Sequence, residues 1–84
     1  MRLYRIESID ADDNEVSIIG VASDTDNARR MIREFYGPHK VIQERDVRDS
    51  GIEFTMIIEV EWEYGGEIKT QRDTIVVRDD VGHQ

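Results

Sequence analysis

Three polar side chains near the start of the chain have the spacing that begins a calcium-binding loop. Asp10, Asp12 and Asn14 match its first, third and fifth positions, where oxygen atoms bind Ca²⁺. The sixth position holds Glu15 where glycine is needed, and the twelfth holds Val21 where a bidentate glutamate is needed. The segment therefore fits an acidic turn better than a cation site, and we expect no bound metal.

The residue types that perform most enzymatic chemistry are scarce. Neither histidine, His39 or His83, has partners at the spacing of a metal site or an acid–base pair. The chain has no cysteine, and no serine lies in a nucleophile elbow or triad signature. The glycine pair Gly65-Gly66 is typical of a hairpin turn and not of a phosphate-binding loop. We therefore expect neither an enzyme nor a cofactor.

A row of glutamates is the feature with the clearest spacing. Glu59, Glu61 and Glu63 alternate along a predicted strand, so neighbours on one face are about 6.7 Å apart. Each step spans roughly two phosphates of one DNA strand, which advances about 3.4 Å per phosphate. Glu53 continues the same face. The row fits either an ordinary hydrated face or a surface that imitates a nucleic-acid backbone.

Asp12 and Asp13 form a second acidic group, in the turn after the first predicted strand. They are as acidic as the strand glutamates but lack a regular spacing. We include them as candidate partner-binding residues beside the glutamate row.

Composition sets limits on the remaining classes. The chain has 84 residues, 19 acidic and 11 basic, for a formal net charge of −8, which fits one domain over 1–84. This charge repels nucleic acids and anionic membranes, so direct binding to either is not expected. No apolar run approaches the roughly 20 residues of a membrane span, and the first five residues lack a signal-peptide core. The sequence thus predicts a soluble cytoplasmic protein.

Periodicity predicts five strands and one helix. The expected strands are 2–9 and 16–22, which form a hairpin, then 40–47, 52–64 and 67–78, with 79–84 as a frayed tail. Residues 48–51 have turn chemistry. The strand 52–64 alternates most clearly, with Phe54, Met56, Ile58 and Val60 on one face and the glutamates on the other. Ile57 is the apolar exception among those glutamates, and Ile19 or Val21 is expected to join it.

The helix is predicted from Asp24 to Tyr36. Ser23 and Asp26 give a capping start, and Gly37 followed by Pro38 gives a stop. One apolar stripe follows helical spacing and is expected to pack on Phe54, Met56, Ile58 and Val60; its members are Ala28, Met31, Ile32, Phe35 and Tyr36. The fold predicted is therefore α+β and two-layered, a single helix on a five-stranded, mostly antiparallel sheet, in the chain order β-β-α-β-β-β.

Three arginines lie opposite the apolar stripe of this helix. They are Arg29, Arg30 and Arg33; Arg29 and Arg30 stand three and four residues from Asp26, and Arg30 stands four from Glu34, spacings that allow ion pairs. We interpret them as a solvated face, because a net charge of −8 makes a poor nucleic-acid site.

Two registers are open for the last hairpin. If Tyr64 opposes Glu67, then Glu59 faces Arg72 and Glu61 faces Thr70. A register one residue longer places Lys69 opposite Glu63 and Asp73 opposite Glu59. Neither register neutralises the row completely.

In character the chain resembles small phage-borne inhibitors such as anti-CRISPR proteins and DNA mimics, since it is tiny, cysteine-free, acidic and α+β. That resemblance implies a non-enzymatic inhibitor whose acidic face occupies the groove of a basic nucleic-acid-binding protein, for example a nuclease. The predicted partner-binding residues are Glu53, Glu59, Glu61, Glu63, Asp12 and Asp13. Alternatives are an assembly module that self-associates through a sheet edge or face and, less favoured, a small metal-binding domain or enzyme. Apolar residues on the sheet face opposite the helix also predict a homodimer.

Overall fold

The computed structural model describes residues 2–49 and 51–79, so most of the predicted tail, 80–84, lies outside the described residues. The elements follow the predicted succession along the chain: β1 (Tyr4–Asp10), β2 (Val16–Ala22), α1 (Thr25–Tyr36), β3 (Lys40–Asp49), β4 (Ile52–Tyr64) and β5 (Glu67–Asp79). One helix and a five-stranded antiparallel sheet confirm the α+β class.

The order of the strands in the sheet is β2-β1-β5-β4-β3, which differs from their order along the chain. The first strand lies beside the last, from Tyr4 opposite Asp79 to Asp10 opposite Asp73. The strands β2 and β3, which flank the helix in sequence, therefore form the two opposite edges of the sheet. The turn predicted over 48–51 begins later than expected, since β3 continues to Asp49 through irregular pairing and Arg48 has a φ of 40°.

The ends of α1 are capped by local hydrogen bonds. The N-cap is Asp24 and not the predicted Ser23: the Asp24 carboxylate accepts from the Asn27 backbone N–H at 2.7 Å. The Ser23 hydroxyl instead accepts from the Asn27 side-chain amide at 3.1 Å. At the other end Gly37 has a φ of 66° and donates its N–H to the Arg33 carbonyl at 2.9 Å, as a helix stop requires.

The core lies between α1 and one face of the sheet. Ala28 and Ile32 are buried against it, and Met31 and Tyr36 pack at its margin. The sheet contributes residues from β1, β2, β4 and β5; its buried apolar side chains in this cluster are Tyr4, Ile6, Ala22, Phe54, Met56, Ile58, Ile75 and Val77. Val60 is partly buried, as a residue at the end of the core would be.

The predicted burial of Phe35 is wrong. Its side chain is 62% exposed, whereas Ile32 is 1% exposed. Phe35 lies on the flank of the helical stripe, past the sheet surface that the helix covers, and its ring meets the Tyr36 ring edge-on with the centroids 5.0 Å apart. The helix axis lies closest to β2 and β1.

The interpretation of the three helix arginines as a solvated face is wrong for one of them. Arg29 donates to the Glu44 carboxylate on β3 at 2.8 Å, and its guanidinium lies 4.2 Å from the centre of the Phe54 ring. A cation above an aromatic face is attracted by the ring quadrupole. Arg29 therefore ties the helix to the far edge of the sheet, while Arg30 makes the expected pair with Glu34 at 3.9 Å.

The last two strands extend past the rest of the sheet. The β3 pairing with β4 ends at Lys40 opposite Glu59, and the β1 pairing with β5 ends at Asp10 opposite Asp73. Beyond these points residues 60–71 form a two-stranded ribbon, here called the arm. Every side chain from Glu61 to Thr70 is exposed, and the molecule is elongated, with extents of 49 × 23 × 20 Å.

Ile32→Ala and Phe35→Ala test the position of the helix on the sheet. We expect Ile32→Ala to lower the free energy of unfolding by about 2–5 kcal/mol, because it empties a buried site. Phe35→Ala should change it by less than about 1 kcal/mol, since most of that ring is already in water. Urea unfolding of the two variants measures both values. An equal loss in the two variants would contradict this placement.

Candidate functional site

The arm presents different chemistry on its two faces. Glu61 and Glu63 point to the side of the sheet away from the helix, which we call the uncovered face. Trp62 and Tyr64 point to the helix side, where they are 44% and 72% exposed. Among the described residues neither Glu61 nor Glu63 forms an ion pair, since Thr70 and Ile68 stand opposite them. The arm thus offers two bare carboxylates on one side and two exposed aromatic rings on the other.

The hairpin adopts the first of the two registers that the sequence left open. Tyr64 lies opposite Glu67, and Glu59 lies opposite Arg72, whose Nε donates to the Glu59 carboxylate at 3.0 Å. On the other side Glu59 faces Lys40 of β3, and its side chain is only 15% exposed. Glu59 is therefore neutralised inside the sheet and is the least accessible member of the predicted row.

Glu53 lies apart from the other glutamates. It is six residues from Glu59 along β4, which corresponds to about 20 Å in a strand. Its side chain is 21% exposed and lies 3.9 Å from the Arg48 guanidinium. The predicted row is thus divided, and only Glu61 and Glu63 form a bare acidic pair.

The turn between β1 and β2 brings Asp12 and Asp13 to the base of the arm. The Ala11 N–H donates to the Arg72 carbonyl at 3.2 Å, which places this turn beside β5 where the arm begins. The Asp13 carboxylate accepts the Glu15 backbone N–H at 2.9 Å, while no side-chain hydrogen bond of Asp12 is formed within the described residues. Two acidic groups that are distant in sequence therefore lie at the same end of the sheet.

Charge is polarised along the long axis of the molecule. The end that bears the arm, here called the acidic end, comprises residues 10–15, 37–40 and 59–73. It holds nine carboxylates and three bases, a net charge of −6 out of −8. The carboxylates are Asp10, Asp12, Asp13, Glu15, Glu59, Glu61, Glu63, Glu67 and Asp73, and the bases are Lys40, Lys69 and Arg72. Two of these bases are paired within the acidic end, Lys69 with Glu67 at 3.1 Å and Arg72 with Glu59 at 3.0 Å.

A polar cluster that the sequence did not predict fixes the base of the arm to the helix. The Tyr36 hydroxyl donates to the Asp73 carboxylate at 2.9 Å and lies 2.8 Å from the Ser8 hydroxyl. The Gln71 side-chain amide donates to both Asp10 at 2.9 Å and Asp73 at 3.1 Å, so it bridges two carboxylates on adjacent strands. Burial, and then the neighbouring Asp73 carboxylate, raise the pKa of Tyr36. An open cleft of about 250 Å³ adjoins this cluster.

The candidate cation and catalytic residues have local structural roles. The Asp10 carboxylate accepts the Asp12 backbone N–H at 2.7 Å, which is an Asx turn. His39 Nδ1 lies 2.6 Å from the Gly37 carbonyl, so the ring bonds to its own loop, and His83 lies outside the described residues. Within residues 2–49 and 51–79, no three acidic or histidine side chains converge as a metal ion requires.

Comparison with known protein families, with curated proteins and with solved structures gave no match. In the part of the chain that the structure describes, no helix is both long and apolar enough to cross a membrane.

Tyr36→Phe tests the polar cluster through its pH dependence. Because the folded state raises the pKa of Tyr36 above its ordinary value of 10.0, folding favours the protonated phenol. This contribution is fully present below pH 10 and is lost as the pH rises above it. We expect the alkaline fall in the free energy of unfolding to be weaker in Tyr36→Phe than in the unmodified chain. Denaturant melts between pH 9 and 12 measure it, with Tyr64→Phe on the arm as control; an equal fall in all three proteins would contradict the cluster's role.

Proposed function

We propose that this protein is a small acidic binding protein that inhibits a basic nucleic-acid-binding protein, such as a nuclease. The acidic end would enter the groove that normally holds nucleic acid, and its carboxylates would occupy positions of phosphates. The observation that supports this most directly is the projection of the arm, with Glu61 and Glu63 bare on one face. This is the mode of action of DNA mimics and of some anti-CRISPR inhibitors, which the chain resembles in character.

Electrostatics would act before contact. A net charge of −6 at one end attracts a basic surface over roughly one Debye length, about 8–10 Å at physiological salt. Attraction of this kind speeds association and orients the arm toward the partner. Glu61 and Glu63 stand about 6.7 Å apart, near two phosphate steps of a DNA strand.

The aromatic face of the arm would supply the contacts that charge alone lacks. Tyrosine and tryptophan are enriched among residues that dominate binding energies, because they bury large areas and keep a polar group. Trp62 and Tyr64 stand exposed at the end of β4 with no described element packed over them. A partner groove with a basic rim and an apolar wall fits this arrangement.

Charge reversal on the arm tests the proposal. The protein is immobilised on a resin and incubated with a lysate of the organism that encodes it. Bound proteins are then eluted with a short DNA duplex at constant ionic strength. We expect the unmodified protein to retain basic proteins that the duplex releases, and Glu61→Lys with Glu63→Lys to lose them. The fold should survive, because both side chains are exposed.

Asp26→Lys with Glu34→Lys is the matched control. It changes the net charge by the same amount, on exposed helix positions outside the acidic end. Retention of the partner by the control and its loss by the arm variant support the proposal. Equal loss of the partner in both variants would show that only net charge matters. If the DNA duplex does not displace the bound proteins, they are not bound through a nucleic-acid groove, and the proposed imitation of DNA is excluded.

A further inference from the structure

One row of side chains on the uncovered face crosses all five strands without a charge. Backbone pairing places these residues side by side in the order Val16, Ile9, Thr74, Ile57 and Gln43. The faces of antiparallel sheets that contact water normally carry polar side chains. Three of its five members, Val16, Ile9 and Ile57, are apolar, and these three depart from the pattern of a solvent face. We call this row the central row.

The next row away from the arm extends the apolar surface. Ile18, Val76 and Thr55 lie there, interrupted by Glu7 and bounded by Arg45. Val16 and Ile18 are 55% and 64% exposed, although both stand on a sheet face. The apolar exception Ile57 is thus joined by Val16, Ile18 and Ile9. The predicted neighbour Ile19 instead packs against the core on the helix side, and Val21 lies farther along the uncovered face, beside Arg5.

Charge on the uncovered face is complementary between its two ends. Beyond the central row on the arm side stand Glu59, Glu61 and Glu63 with Lys40 and Arg72, which together carry −1. On the opposite side stand Arg5, Arg45 and Arg78 with Glu7 and Glu53, which together carry +1, and Glu7 accepts from Arg78 at 2.7 Å. An antiparallel arrangement of two copies would therefore place the net negative side of each against the net positive side of the other.

We propose that the uncovered face is the interface of a homodimer, packed face to face with its two-fold axis along the central row. The second copy runs antiparallel, because a parallel copy would bring together two ends that each carry −6. Glu61 is four residues from Ile57 toward the arm, and Arg78 is four residues from Thr74 in the other direction. Each lies about 13 Å from the axis, but on adjacent strands, so Glu61 of one copy lies over Glu53 of the other and beside its Arg78.

The size of the face is compatible with a stable dimer. The central row spans four strand spacings, about 19 Å, and eight residues along the strands span about 26 Å. The flat area is about 500 Å² per copy, and side-chain relief raises the accessible area toward the roughly 600 Å² at which stable interfaces begin. Glu61 and Glu63 border this interface and are also the residues assigned above to a basic partner, whereas the aromatic face and the Asp12–Asp13 turn stay outside it. The two tests below measure self-association alone, so their outcome does not depend on the proposed function.

Single cysteines test the orientation, because the chain has none of its own. Thr74 lies on the central strand in the central row, so Thr74→Cys should be joined to its counterpart by a short bismaleimide. Thr70→Cys lies four residues farther toward the arm on the same face, and its two copies should be about 26 Å apart. We expect cross-linking at 74 and none at 70. Cross-linking at both positions would show a parallel dimer. Cross-linking at neither position would exclude this face as the dimer interface.

Ile57→Lys tests the interface energetically. Sedimentation equilibrium at micromolar concentration should give a dimer for the unmodified chain, and a dimer dissociation constant raised about 100-fold or more for Ile57→Lys, because unpaired buried ammonium groups are strongly unfavourable. Val41→Lys is the matched control, an exposed apolar residue of β3 on the helix side. It should remain a dimer. A 9.8 kDa species for the unmodified chain, or an equal loss in both variants, would overturn the proposal.

Discussion

The fold depends on one helix that covers one face of a sheet too large for it. Ala28 and Ile32 meet Ile6, Ile58, Ile75 and Val77 in a single apolar layer, and no other described helix is available for the second face. A layer of this kind stabilises only the strands beneath it. The ends of β4 and β5 outside that layer therefore remain as an exposed arm, and the other side of the sheet remains uncovered.

Period-two and helical patterns in the sequence were sufficient to predict the strands and the helix, but not the order in which the strands pair. The alternation through Phe54, Met56 and Ile58 is local, so it gave the strand and its buried face correctly. Pairing of β1 with β5 joins residues more than 60 positions apart, and no local pattern encodes it. Phe35 was misplaced for a related reason: helical spacing identifies the stripe, but it does not show which flank of the stripe has a sheet beneath it.

The same limit applies to the candidate surface. Sequence alone shows that Glu59, Glu61 and Glu63 share a face, but the charge of that face depends on neighbouring strands. Lys40 and Arg72 flank Glu59 only because β3 begins beside it and because the hairpin takes its tight register. The sequence did not predict the cluster of Tyr36, Ser8, Gln71 and Asp73. Its members come from α1, β1 and β5, which are brought together only in the folded chain.

Charge polarity along the long axis links the two proposed surfaces. A uniform charge of −8 would oppose self-association in every orientation and would attract a basic partner from every side. Since the acidic end holds −6 of the total charge of −8, repulsion is smallest when two copies lie antiparallel, and attraction of a basic partner would be greatest at the arm. The cluster that holds Asp73 and Asp10 through Gln71 fixes the arm at this end. Under the two proposals, the polar contacts at the arm base hold in place the end that would meet a basic partner and that would point away from the same end of a second copy.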